Sequence, residues 1–183
     1  MEKITEFFKS KIPEFKLQPP TAAIDVCRKV DQSQYSDTMP TYPARTLVVH
    51  VATKGLQLGS IVGLVLTPLL AWRRKSALAT VWRGFVPKAA IVGSTVTTSM
   101  VYSMDMRGKL DIAGVDDRAY RIAHNEGQVK VDRYSLIGGA TGAVTGVIVG
   151  GATLPLVCSG IALGVVAYGA EKKYKASVES EVV

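Results

Sequence analysis

YSLIGGATGAVTGVIVGGATLPLVCSGIALGVVAYGA (residues 134–170) decides the fold class. It contains no charged residue. As one helix it would reach roughly 55 Å, against a hydrocarbon core of about 30 Å, so it is too long for a single span. Thr153-Leu154-Pro155 lies near its middle, and proline ends or kinks a helix. The stretch therefore reads as two spans folded back on each other, about 134–152 and 154–170. The first carries Gly138, Gly142, Gly146 and Gly150, one every four residues. Residues at that spacing share a helix face, and the four glycines together outline a groove. Gly160 and Gly164 repeat the spacing in the second. Such grooves let two backbones approach closely in lipid, where packing replaces the hydrophobic effect between helices.

Working outward toward the N-terminus, a span is expected from about Leu47 to Trp72. Its glycines, Gly55, Gly59 and Gly63, keep the same rhythm. His50 and Lys54 lie near its start, within snorkelling reach of the interface. A further span is expected at 84–104, where Ala89, Gly93 and Thr97 place small residues every four positions. Between these spans stand Arg73, Arg74, Lys75 and Arg83, and no acid occurs between residues 55 and 104. The positive-inside rule puts that connection on the cytoplasmic side, or on the matrix side of a mitochondrion. Basic residues beside a span also favour anionic lipid, with cardiolipin the candidate at Arg73-Arg74-Lys75.

The expected architecture is an all-α membrane protein. Four transmembrane helices with glycine-faced packing occupy residues 47–170. A soluble N-terminal arm precedes them at 1–46, and a charged tail follows at 171–183. With four spans, both termini and the hydrophilic segment 105–133 fall opposite the basic connection. In that segment Asp116 or Asp117 is expected to cap a short helix, DDRAYRIAH, which stops at Asn125-Glu126-Gly127. In the arm, Ile4, Phe7, Phe8, Ile12 and Phe15 recur at helical spacing among lysines. They suit either a short helix on a membrane surface or an arm packed on a neighbouring protein.

The chain offers little for chemistry. Its net charge is +7 and its mean hydropathy +0.21. The bases cluster beside spans, which favours lipid over nucleic acid. Cys27 and Cys158 form no metal spacing or disulfide frame, and His50 and His124 each stand alone. GGATGAVTG lacks the lysine of a phosphate loop. The spans hold no Asp or Glu, the residues that mark proton relays and ion paths. No catalytic residue, metal ligand, cofactor or small-molecule substrate is therefore expected.

Four spans, glycine-spaced first and third helices, a basic first connection and a mixed-charge second one resemble the mitochondrial inner-membrane translocase family. That family comprises preprotein and amino-acid transporters and an accessory subunit of respiratory complex I. The resemblance covers about Val48 to Ala170. The family signature of Arg, then Asp, then a small-Gly pair and a further Gly is similar to Asp132, Gly138-Gly139 and Gly142. Gln128 stands where the Arg would be, and the upstream aromatic is displaced to Tyr120. The resemblance implies a multi-pass protein of the mitochondrial inner membrane with both termini in the intermembrane space. It implies a non-catalytic accessory subunit, most like that of complex I (NADH:ubiquinone oxidoreductase), with other membrane subunits and phospholipid as partners. A protein-import translocase or metabolite carrier is the alternative. A glycine-zipper membrane protein of unrelated origin is the third reading.

Overall fold

The computed structural model describes residues 22–30 and 39–181. The amphipathic pattern expected at Ile4–Phe15 lies outside the described residues. Every regular element among those residues is helical. After a 3-10 turn at Ala22–Ile24 come α1 (Pro43–Arg74), α2 (Leu78–Met106), α3 (Ile112–His124), α4 (Glu126–Val149) and α5 (Thr153–Glu181). Two of these, α1 and α5, are long and apolar enough to cross a membrane. The others fall short for a definable reason. The charge-free run of α2 lies between Lys88 and Asp105, and that of α4 between Tyr134 and Val149. Each covers roughly 24 Å at 1.5 Å per residue, against roughly 27 Å for the charge-free runs of α1 (55–72) and α5 (153–170), and its serines, threonines and glycines dilute the apolar character further.

The helices pair as two antiparallel hairpins, α1 with α2 and α4 with α5. The hairpins meet where α5 lies against α1 and α2, and α3 lies across α1. Pro43 opens α1 in its first turn, where the missing N–H would have had no intrahelical partner. Lys75 closes α1 in the left-handed region at φ 49°, its N–H directed at the carbonyls of Ala71 and Trp72.

Several boundaries differ from the sequence reading. The turn between α4 and α5 is Gly150-Gly151-Ala152, with φ of 74° and 88° at the two glycines. Glycine adopts that backbone without a Cβ clash. Pro155 does not break the chain; it sits in the first turn of α5, where its absent N–H costs nothing. The segment 105–133 is mostly helix: it holds α3 and the first two turns of α4. The tail after residue 170 continues α5 as helix to Glu181. Asp111, not Asp116 or Asp117, caps α3, accepting from the Gly114 N–H at 3.2 Å. Asn125 ends α3 as expected. It also starts α4, its side chain accepting from the Gln128 N–H at 3.1 Å.

Part of the arm is packed rather than free. Ala23 and Ile24 join Ala44, Leu47, Leu110 and Val115 in one apolar cluster under α3. Asp116 is buried and paired with Arg28 of the arm, whose second nitrogen donates to the same carboxylate at 3.2 Å. Hydrogen bonds to charged groups contribute about 1.5–3 kcal/mol. Arg28→Ala is therefore expected to loosen the arm by that order, seen as faster proteolysis on the N-terminal side of Met39. The helical content measured by circular dichroism should stay unchanged. Unaltered cleavage rates would show that the pair does not hold the arm.

Candidate functional site

The two hairpin seams consist of backbone against backbone. In the first, a Cβ at Gly55 would strike Thr97 and the Gly93 carbonyl, and one at Gly59 the Ala89 carbonyl. Gly63 is looser, with Val86 Cα at 3.1 Å from such a Cβ. The Thr97 hydroxyl crosses the seam to the Val51 carbonyl at 3.1 Å. In the second seam, Gly138 faces Gly160, Gly142 faces the Leu156 carbonyl, Gly146 faces Thr153 and Gly164 faces the Tyr134 carbonyl. The partner of Gly138, Gly142 and Gly146 is thus α5. The glycines of α1, the other candidate from spacing, are occupied by α2. Gly150 departs from the groove: it is the C-cap of α4, outside the helix, with no neighbour at its Cβ position. The four-residue rhythm continues past the point where the helix ends, so spacing alone includes it wrongly.

Between the hairpins lies a polar cluster. Lys54 Nζ donates to Asp132 Oδ1 at 2.6 Å and to Gln57 Oε1 at 3.2 Å. Gln57 Nε2 reaches Asp132 Oδ1 at 2.9 Å and Ser135 Oγ at 2.8 Å. Ser135 Oγ donates to the Asp132 carbonyl at 2.9 Å. His50 Nδ1 lies 3.5 Å from Asp132 Oδ2. Gln57 and Ser135 are buried, while Lys54 and Asp132 keep about a third of their side chains exposed. A buried amide must find partners for both its ends, and Gln57 does. The cluster clasps α1 to α4. At the opposite end Trp82 Nε1 donates to Ser159 Oγ at 3.0 Å, tying α2 to α5.

Sequence reading places His50 and Lys54 near the start of the first span and Asp132 ahead of the third span at 134–152, but it does not bring them together. Gln57 it misses. The one available signal is a lone amide in an otherwise apolar run, roughly 200° around α1 from Gly55 and so on the side away from the Gly55–Gly59 seam.

Chemically, the cluster's carboxylate is already engaged by an ammonium and an amide. His50 and Asp132 line an open groove of about 570 Å³ with Tyr42, Arg45 and Thr46. Among the described residues no three His, Cys, Asp or Glu side chains stand close enough to hold a metal ion. Cys27 is exposed, Cys158 is buried, and both are free thiols. Arg73, Arg74 and Lys75 are exposed at the end of α1. Where α4 and α5 emerge, Tyr134 donates to Glu171, and Lys175 Nζ lies 2.6 Å from the same carboxylate. The Lys175 hydrogen bond, then that of Tyr134, holds the Glu171 carboxyl below the usual glutamate range.

The chain matches the family described as "Protein of unknown function (DUF1757)" over residues 29–167, and it belongs to that family. The matched region contains both glycine seams and the whole Lys54–Gln57–Asp132–Ser135 cluster. No curated protein and no solved structure matches the chain.

Proposed function

We propose that the chain is a non-catalytic accessory subunit of a mitochondrial inner-membrane respiratory assembly, complex I. In this reading all four long helices cross the membrane. The short apolar runs of α2 and α4 suffice because Arg83, Lys88, Lys130 and Arg133 reach the interface with their long side chains. Arg73, Arg74 and Lys75 face the matrix and contact anionic lipid, including cardiolipin. Both termini face the intermembrane space. The observation that carries the reading is how the polar side chains between the hairpins are used. Lys54, Gln57, Asp132 and Ser135 bond to one another and hold helices together. Meanwhile large apolar side chains point outward: Val147 is 75 % exposed and Ile148 79 %. That combination suits a plug packed among other membrane subunits. The resemblance of Asp132, Gly138-Gly139 and Gly142 to the translocase signature supports the same reading.

A second reading, a translocase or carrier, draws on one feature of α2. Ser94, Thr95, Thr98, Ser99, Tyr102 and Ser103 line a laterally open groove of about 620 Å³. Hydroxyls facing outward from a membrane helix would suit a passing polypeptide. Mitochondria dissolved in mild detergent, with their complexes separated and identified by mass spectrometry, decide between the two. Co-migration with complex I is expected. Co-migration with the import translocase instead, with depletion slowing import before respiratory assembly, would overturn the accessory-subunit reading.

A further inference from the structure

The antiparallel pairing of α4 and α5 brings two polar boundaries to the same level. Arg133 immediately precedes the charge-free run of α4, and Glu171 and Lys172 immediately follow that of α5. Between them opens a cleft of about 630 Å³. Its floor is a tyrosine pair, Tyr134 and Tyr168, with ring centroids 5.8 Å apart, beside Ile137. Tyrosine at this level is typical of a membrane–water boundary. Its rim carries four bases, Lys130, Arg133, Lys172 and Lys175, against two acids, Glu171 and Glu179. Lys130 is held by Glu126 at 3.2 Å and Lys175 by Glu171 at 2.6 Å. Arg133 and Lys172 make no hydrogen bond or ion pair among the described residues. The Tyr168 hydroxyl has no hydrogen-bond partner there either, whereas that of Tyr134 is committed to Glu171. The cleft therefore presents a guanidinium fork, an ammonium and a phenol donor with nothing to bind, above an apolar floor.

We infer that this cleft is a binding site for the phosphate of an anionic glycerophospholipid. The guanidinium fork of Arg133 pairs with phosphate oxygens, and Lys172 adds a point charge. Tyr168 donates the third hydrogen bond. Ile137, 57 % exposed, starts the surface along which an acyl chain lies. Neither the complex I nor the import reading assigns this cleft. It lies at the opposite end of the helices from Arg73-Arg74-Lys75, and it rests on the membrane reading given above.

The test is native mass spectrometry of the full chain in mild detergent. Phosphatidylglycerol, phosphatidylcholine and inorganic phosphate are titrated in turn. Phosphatidylglycerol is expected to be retained in preference to phosphatidylcholine and to resist displacement by inorganic phosphate. Arg133→Gln with Lys172→Gln should lower its affinity on the order of 25-fold, at roughly fivefold per cation removed. Tyr168→Phe, which changes no charge, should lower it by a smaller factor. Lys109→Gln with Arg118→Gln, which removes the same charge elsewhere, should leave it unchanged. Arg133→Lys with Lys172→Arg, which keeps the charge, shows that the cleft still folds by retaining the lipid. Three results would each overturn the site: equal retention of the two lipids, displacement by inorganic phosphate, or equal loss in the Lys109/Arg118 variant. Co-migration of the same variants with complex I is scored separately, so failure of lipid binding does not count against the subunit assignment, nor the reverse.

Discussion

Gly142→Ala lowers the unfolding midpoint of the purified chain in detergent and reduces its accumulation, although it adds a single methyl group. The new carbon would overlap the Leu156 carbonyl oxygen and stand 2.9 Å from the Val157 nitrogen. These are backbone atoms of the facing helix, with no rotamer to escape into, so α5 must shift as a whole. Overpacking of this kind costs about 1–3 kcal/mol. Gly138→Ala meets the Gly160 carbonyl in the same way and should behave alike. Leucine at Gly142 or Gly146 adds volume to the same clash and should cost at least as much. Alanine is otherwise better than glycine in a helix by about 1 kcal/mol, so a loss cannot come from propensity. Val147→Leu points outward and is the tolerated comparison. Equal midpoints for Gly142→Ala and Val147→Leu would mean that the α4–α5 seam is not the close contact described.

The second large effect belongs to Asp132. Asp132→Ala leaves Lys54 with only the Gln57 carbonyl oxygen and takes an acceptor from the Gln57 amide. Breaking a fully buried ion pair costs about 3–5 kcal/mol, and exposed pairs contribute about 0–1 kcal/mol. Lys54 and Asp132 keep 28 % and 33 % of their side chains exposed, so roughly 1–3 kcal/mol is expected. Lys54→Met combined with Asp132→Leu should recover much of that loss, since no charge is then left unpaired. A double-mutant cycle between these positions measures the coupling directly. Strict additivity of the two single losses would show that the clasp carries no energy.

The glycine face was legible because a helix turns every residue by a fixed angle, and small residues four apart must share a side. What spacing cannot carry is the partner's identity. Gly138 faces Gly160, but Gly55 and Gly59 had the same pattern and sit against α2. Helix ends were hidden for a different reason. Charge marks where a chain leaves an apolar phase, yet helical hydrogen bonding continues in water, so α4 starts at Glu126 and α5 runs on to Glu181. The polar cluster was the least legible. Gln57 and Asp132 are 75 positions apart, and neither belongs to a motif that requires the other. The Asp132-to-Gly142 signature pointed at the right stretch of α4 without showing that its carboxylate closes onto α1.

The proposal that the two glycine-faced hairpins each cross the membrane twice is tested most directly by side-specific labelling. Single cysteines replace Ser76 in the α1–α2 turn, Lys109 between α2 and α3, and Lys173 beyond the apolar part of α5, in a chain with Cys27→Ser and Cys158→Ala. All three positions are exposed in the structure. An impermeant maleimide added to mitoplasts should label positions 109 and 173 and reach position 76 only after detergent is added. Labelling of position 76 alongside the other two before detergent would contradict the account.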